Sequence, residues 1–357
     1  MKFSLNKNNA IKVLVVDDSA FMRKILSDIL DSDTSIRVVG TAVDGRDALE
    51  KIKSLNPDVI TMDVEMPVMD GINCLKEIMQ TNPKPVVMLG SGTEYGAELT
   101  IRSLDEGAVD FIAKPKNIFD IRDTDKKNEI IEKIVIASNV KKLKSVQKQT
   151  KDDDKRLMAN SSKAAKNIIA IGSSTGGPKA LQSVIPYLPG DMSIAVLVVQ
   201  HMPPGFTKSL AERLDSKSNL IVKEATHMEK VLEGHAYIAP GDSHMKIRTT
   251  SNGDIIIDLD KSPPVGGHRP SVDVMMTSLS ETGLRNIIGV ILTGMGSDGS
   301  IGIKKLKEVN ESFIIAQDEE TSVVYGMPRM AVQTGAVDKI VSLDKIPGEI
   351  IQILGVR

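Results

Sequence analysis

Short, almost unbroken apolar runs alternate along this chain with segments whose apolar residues recur at helical spacing. Residues 11–16 (IKVLVV) end in Asp17 and Asp18, and Phe21, Ile25, Leu26, Ile29 and Leu30 then mark one face of a helix starting near Ser19. Similar runs lie at 36–42 (IRVVGTA), 58–62 (DVITM), 85–89 (PVVML) and 109–113 (VDFIA), each followed or preceded by a helical segment. Strands this apolar are buried on both faces, and right-handed crossovers leave helices on both sides of the sheet. The first third of the chain therefore predicts an α/β fold with a doubly wound parallel sheet.

The rhythm breaks between Lys141 and Lys166, where KKLKSVQKQTKDDDKRLMANSSKAAK is dense in charge and nearly empty of large apolar residues. Its start extends the preceding helix and the remainder reads as a solvated linker; Asp152–Asp154 interrupt the basic run, so a nucleic-acid arm is disfavoured. A second alternation follows. Strands are predicted at 167–172, 193–200, 220–225, 286–293, 312–317 and 339–343, and helices at about 178–188, 206–216, 271–282, 299–309, 321–333 and 346–354. Between Gly234 and Lys261 the Pro240-Gly241 and Asn252-Gly253 turns suggest antiparallel hairpins inserted into this second parallel, Rossmann-like sheet.

At 357 residues the chain is long enough for two such domains. Its 41% hydrophobic and 26% charged residues are ordinary for a soluble protein, while a net charge of -2 provides no general attraction to nucleic acid or anionic lipid. Aromatics make up 3%, leaving little surface for base stacking. The single Cys74 excludes an internal disulfide or multi-cysteine zinc site and fits a reducing compartment. Without a signal-like leader or membrane-length apolar run, the expectation is a cytoplasmic protein with no direct membrane insertion. GxxxxGK[ST] is absent, so a P-loop is excluded.

Two sets of strand-end residues carry candidate chemistry. In the first domain Asp17 and Asp18 end the first strand, Asp63 the third (TMDVEMP), and Lys114 follows the fifth (AKP). A parallel sheet gathers these ends on one edge, where three carboxylates would repel one another without a hard divalent cation such as Mg²⁺. A carboxylate there, beside a lysine that balances incoming charge, suits capture of a phosphoryl group; taken in isolation, each acid reads as a helix cap. In the second domain IGSSTGGPKAL puts Ser173 and Ser174 in a strand-to-helix turn, SIAVLVVQ ends at His201, and NIIGVILTG runs into Met295-Gly296-Ser297-Asp298. Serine needs a base, and the base needs an acceptor that fixes its tautomer. Ser174, His201 and Asp298 supply those parts. The literal GxSxG at 172–176 resembles a nucleophile elbow, but the order Ser, His, Asp differs from that of α/β-hydrolases.

Residues 11–120 resemble the receiver domain of two-component response regulators through VVDDS, MDVEMPVMDG and DFIAKP. The resemblance implies Asp63 as phospho-acceptor, Lys114 as a phosphate contact, and Asp17, Asp18, Asp63 and the backbone carbonyl of Glu65 as Mg²⁺ ligands. Gly90 stands where most receivers carry Thr or Ser, with Ser91 or a water as the possible substitute. Residues 167–355 are similar to the catalytic domain of chemotaxis protein-glutamate methylesterases through IGSSTGGPKAL, VVQHMPPGFT, YIAPGDSHM, HRPSVDVMM and ILTGMGSDG.

That second resemblance implies Ser174 as nucleophile, with Ser173 its rival, His201 as base, Asp298 as its orienting residue and the Met295 N–H as oxyanion donor. His268 and Asp273 are substrate-side or structural. The implied partition is a receiver over 10–130, a linker over 131–165 and a catalytic domain over 166–357. The implied activities are methyl-ester hydrolysis and glutamine deamidation on chemoreceptors, with no cofactor for the esterase. Phosphate would come from a chemotaxis histidine kinase, with Mg²⁺ serving the receiver and the receiver docking over the serine centre. A DNA-binding output domain, a nucleotide-binding turn at GSSTGG and a different ester substrate are the rival readings.

Overall fold

The computed structural model describes residues 10–114, 124–140 and 163–355. The chain forms two compact units that divide between Thr150 and Lys151. Most of the expected linker, residues 141–162, lies outside the described residues.

The first unit runs β1 Ile11–Val16, α1 Ala20–Asp31, β2 Ile36–Ala42, α2 Gly45–Leu55, β3 Val59–Asp63, α3 Gly71–Thr81, β4 Val86–Gly90, α4 Glu94–Asp105, β5 Asp110–Ala113 and α5 Thr124–Ser138. Its five strands are parallel in the order β2-β1-β3-β4-β5. The apolar runs become strands because their side chains are covered on both faces, as in β3 and β4, which are buried throughout. Helix starts follow local chemistry: Ser19, Asp44, Asp70 and Thr93 each accept a backbone N–H of the helix they precede. The strand order reverses between β1 and β3, which opens a crevice at their carboxyl ends.

Helix α5 crosses the boundary expected at residue 130. Ile130, Ile134 and Ala137 are buried, and Lys133 Nζ donates to the Phe111 carbonyl at 2.7 Å while pairing with buried Asp110 at 3.4 Å. The helix therefore packs against the core of the first unit, past the boundary expected at residue 130.

The second unit runs β6 Asn167–Ser173, α6 Gly177–Val184, β7 Ile194–Gln200, α7 Phe206–Asp215, β8 Ile221–Glu224, β9 His235–Ile238, β10 His244–Thr249 and β11 Ile255–Asp260. It continues through α8 Val272–Ser280, β12 Ile287–Ile291, α9 Ser300–Asn310, β13 Phe313–Gln317, α10 Met327–Gln333, β14 Lys339–Val341 and α11 Ile346–Ile353. Seven strands form one sheet in the order β14-β13-β12-β6-β7-β9-β8, all pairs parallel.

Two expectations need correction. Among the described residues one antiparallel pair of strands forms, β10 with β11, and it stands as a separate two-stranded sheet. Residues 235–238 instead join the main sheet in parallel, because Ala236, Tyr237 and Ile238 are buried on both faces. The helix expected over 321–333 begins only at Met327. Before it, Thr293 Oγ1 accepts the Val324 N–H and Val324 returns its carbonyl to Gly294 N–H, holding that segment as irregular chain against the end of β12. Among the described residues no helix is long and apolar enough to cross a membrane.

Candidate active site

In the first unit the switch-point crevice gathers the predicted acidic group. One carboxylate oxygen from each of Asp17, Asp18 and Asp63 lies within 4.8 Å of the others. Lys114 Nζ sits 2.7 Å from Asp63 Oδ2 and 2.9 Å from Asp17 Oδ2. Asp17 Oδ2 is fully buried and, apart from this ion pair, has no hydrogen-bond partner among the described residues. Burial pushes the Asp63 carboxyl up to about 6; Lys114 opposes the rise and the Asp17 charge adds to it. Oxygen donors, close carboxylates and an orphaned buried lone pair fit a hard divalent cation. Glu65 follows with an exposed side chain. Gly90 closes β4, and the neighbouring Ser91 hydroxyl is paired with that of Thr93 at 2.9 Å. The helix-capping network of α4 thus holds the nearest substitute hydroxyl.

In the second unit β6 lies between β12 and β7, and the three predicted residues follow the carboxyl ends of these neighbouring strands. Ser173 is paired with Gln200 at the end of the β6–β7 register, so Ser174 and His201 occupy the next positions on backbones about 4.8 Å apart. Gln200 ties those ends together. Its Nε2 donates to the carbonyls of Ser174 at 2.9 Å and His201 at 3.1 Å, while Oε1 accepts from the Ser173 hydroxyl at 2.7 Å. The two neighbouring serines differ in their surroundings. Ser173 is fully buried and its proton is engaged, whereas Ser174 is part-exposed and its hydroxyl has no partner among the described residues.

His201 Nε2 lies 2.8 Å from Asp298 Oδ2. A carboxylate facing Nε2 fixes the proton on that nitrogen and leaves Nδ1 as the base. Nδ1 is buried and without a hydrogen-bond partner. This reverses the usual serine-triad layout, in which Nδ1 faces the carboxylate and Nε2 the hydroxyl.

Asp298 is held by more than histidine. It accepts from the Ser271 hydroxyl at 2.9 Å and from the backbone N–H groups of Val272 at 2.7 Å, Asp273 at 2.9 Å and Gly299 at 3.1 Å. Burial alone would raise its carboxyl; the His201 bond and charge, with these amides, outweigh burial and hold it below the usual carboxylate range. Asp298 lies just before α9, yet two of the amides it accepts, Val272 and Asp273, belong to the first turn of α8. The exchange is mutual, for Asp273 in the first turn of α8 accepts the Gly302 N–H of α9 at 2.7 Å. Burial raises the Asp273 carboxyl, helped by the Asp298 charge and opposed by the amides of α9. Gly172 allows this approach: a Cβ there would stand 2.4 Å from Val272 Cγ1.

Met295 is part-exposed beyond the end of β12, and its backbone N–H donates to no group among the described residues. Thr175 N–H is likewise unengaged. The His268 ring stacks on the His201 ring, with centroids 3.8 Å apart and planes 10° from parallel. Sequence reasoning passed over Gln200 and Ser271. The signal for Gln200 was a polar residue closing the otherwise apolar IAVLVVQ strand; Ser271 reads from sequence only as the cap of α8.

A family model described as "CheB methylesterase" matches residues 169–350, and one described as "Response regulator receiver domain" matches residues 13–124. The chain belongs to the CheB methylesterase family. A relative from Geobacillus kaustophilus named protein-glutamate methylesterase/protein-glutamine glutaminase is 50% identical, over 97% of this chain and 99% of its own length. One from Syntrophomonas wolfei, named protein-glutamate methylesterase/protein-glutamine glutaminase 1, is 47% identical over 96% of this chain and 99% of its own. The solved catalytic domain of the Thermotoga maritima CheB methylesterase is 46% identical with a TM-score of 0.51, covering 53% of this chain and all of that domain. Both units of this CheB-family chain thus fall within matched segments, in the order the family relatives share.

Proposed function

We propose that this CheB-family chain is a phosphorylation-activated methylesterase and glutaminase acting on chemoreceptors, with Ser174 as nucleophile, His201 as general base and Asp298 as the group that orients it. The observation that carries this reading is the His201–Asp298 pair, which leaves a buried, unpartnered Nδ1 at the end of the strand next to the one that leads into Ser174, in a chain matched over 97% of its length by a methylesterase/glutaminase relative.

Ser174 Oγ attacks the γ-carbonyl of a glutamyl methyl ester while His201 Nδ1 takes its proton. The oxyanion is received by the free backbone N–H of Met295, with that of Thr175 as the second donor. Each donor of this kind contributes roughly 2.7–4 kcal/mol to the transition state. His201 then returns the proton to the departing methoxide, releasing methanol. Water attacks the acyl-serine with His201 again as base, restoring Ser174 and leaving a carboxylate. With a glutamine side chain the same steps release ammonia.

Asp63 accepts the phosphoryl group from a chemotaxis histidine kinase, and Lys114 contacts it. Asp17, Asp18, Asp63 and the Glu65 carbonyl would hold Mg²⁺, which when bound supplies charge neutralisation to the incoming phosphoryl oxygens. Action in the cytoplasm, on the cytoplasmic parts of receptors, follows from this reading.

Methanol release from methylated receptor membranes, measured with and without a small-molecule phosphodonor and Mg²⁺, tests both halves. Release that rises with phosphodonor and disappears in Ser174→Ala is expected. Full release by Ser174→Ala would remove the chemistry, and undiminished activation of Asp63→Asn would remove the control.

A further inference from the structure

We propose that His268 is a positioning residue for His201, its uncharged ring face fixing the plane of the catalytic imidazole and therefore the direction in which Nδ1 points. The inference rests on the Ser174–His201–Asp298 reading and adds a residue to it.

The hydrogen bond from Nε2 to Asp298 anchors one corner of the His201 ring but leaves the ring free to turn about that bond. A second constraint is needed to aim Nδ1. His268 supplies a flat one, 3.8 Å away and 10° from parallel. Among the described residues the His268 ring makes no hydrogen bond, so stacking is the contact that explains its place.

The backbone that presents His268 is built for fixity. Val265 and His268 exchange backbone hydrogen bonds at 3.1 and 3.0 Å across Gly266 and Gly267, whose φ values of +60° and +84° form a two-residue hairpin turn that disfavours side chains. Arg269 then clamps this loop. Its Nη1 donates to the carbonyls of Lys261 at 3.0 Å and Ser262 at 2.9 Å, and the guanidinium pairs with Asp242. Buried His244 joins the Pro263 carbonyl to the Ser271 N–H at 3.2 Å each, connecting the same loop to the cap that holds Asp298.

Charge favours the arrangement. Burial, and next the neighbouring His201, bring the His268 ring down to about 4, against the opposing pull of Asp298. A ring that stays neutral when His201 accepts the serine proton presents a π face to a new cation, an attractive contact, whereas two charged rings would repel. This gain exists only while His201 is protonated, so it falls on kcat rather than KM.

The test compares His268→Leu, which fills the volume without a flat face, with His268→Phe, which keeps one. In full-length protein, kcat for methanol release should fall about 3- to 30-fold in His268→Leu with KM unchanged, and His268→Phe should recover most of it. Equal loss in both variants, no loss in either, or a rise in KM alone would overturn the proposal. Should the leucine variant fail to fold, NMR of the wild type decides: His201 ring protons must show the upfield displacement of a stacked ring, and their absence from that range refutes stacking. Labelling of Ser174 by a fluorophosphonate, lost in His201→Ala, separates failure of the triad reading from failure of this one.

Discussion

Replacing Asp298 by asparagine is the sharpest probe of the site, because the structure dictates which way the amide must turn. Oδ1 accepts from Ser271 Oγ and the N–H groups of Asp273 and Gly299, whereas Oδ2 accepts from His201 Nε2 and Val272 N–H. Every neighbour donates, so the new NH₂ faces donors in either orientation. The side with fewer fixed donors is that of His201 and Val272, and there the imidazole can respond by moving its proton to Nδ1. Such a tautomer points a donor at Ser174 and abolishes the base.

Serine triads lose about four orders of magnitude in kcat when this carboxylate becomes an amide, and a comparable loss is expected here with KM little changed. The Val272 N–H, left facing a donor, adds about 1–3 kcal/mol of destabilisation. Methanol release and calorimetric unfolding of the same preparation measure the two effects. A folded Asp298→Asn protein retaining kcat within tenfold of the parent would refute the tautomer argument.

Further outcomes follow from the same contacts. Ser173→Ala removes the hydroxyl that Gln200 Oε1 accepts, costing about 1–3 kcal/mol in unfolding experiments while methanol release persists, since Ser174 is untouched. Gln200→Leu severs the link between the Ser174 and His201 carbonyls, so kcat should fall more than KM rises, with a lower unfolding midpoint. Asp63→Asn, compared with the parent in EDTA, should stabilise the receiver at pH 8. Burial raises the folded Asp63 carboxyl to about 6, so well below its ordinary value of 3.8 it is protonated in both states and carries no charge penalty. As pH rises the unfolded chain releases its proton first, and stability is lost until the folded group ionises, a penalty of about 3 kcal/mol that asparagine avoids. A difference independent of pH, followed by calorimetry, would contradict that account. Added Mg²⁺ should narrow the gap by stabilising the parent.

Much of this molecule is legible in its text because buried parallel strands are continuous apolar runs. The expected and observed limits of β2 coincide at 36 and 42, and the residues at 17, 63, 174, 201 and 298 fall where apolar runs end. Asp17, Asp63 and Lys114 meet, as do His201 and Asp298, because strand ends share an edge. What escaped was decided by tertiary partners. The stretch before Met327 has helical spacing, but Thr293 engages its backbone and keeps it out of the helix. The segment 235–238 looked like half of a hairpin, and only the vacancy between β7 and β8 makes it a central parallel strand. The resemblance pointed to Ser174 rather than Ser173, but that Gln200 engages the Ser173 hydroxyl and leaves that of Ser174 unpartnered among the described residues is something adjacent identical letters cannot disclose.

The crossed caps at Asp273 and Asp298 have a mechanical consequence. Because Asp273 of α8 grips an amide of α9 and Asp298, in the turn leading into α9, grips amides of α8, neither helix tip can slide without dragging its counterpart. Ile301, 63% exposed at the start of α9, is one residue from the gripped Gly302 amide. Pressure on that outer surface is therefore geared to the carboxylate that steers the imidazole.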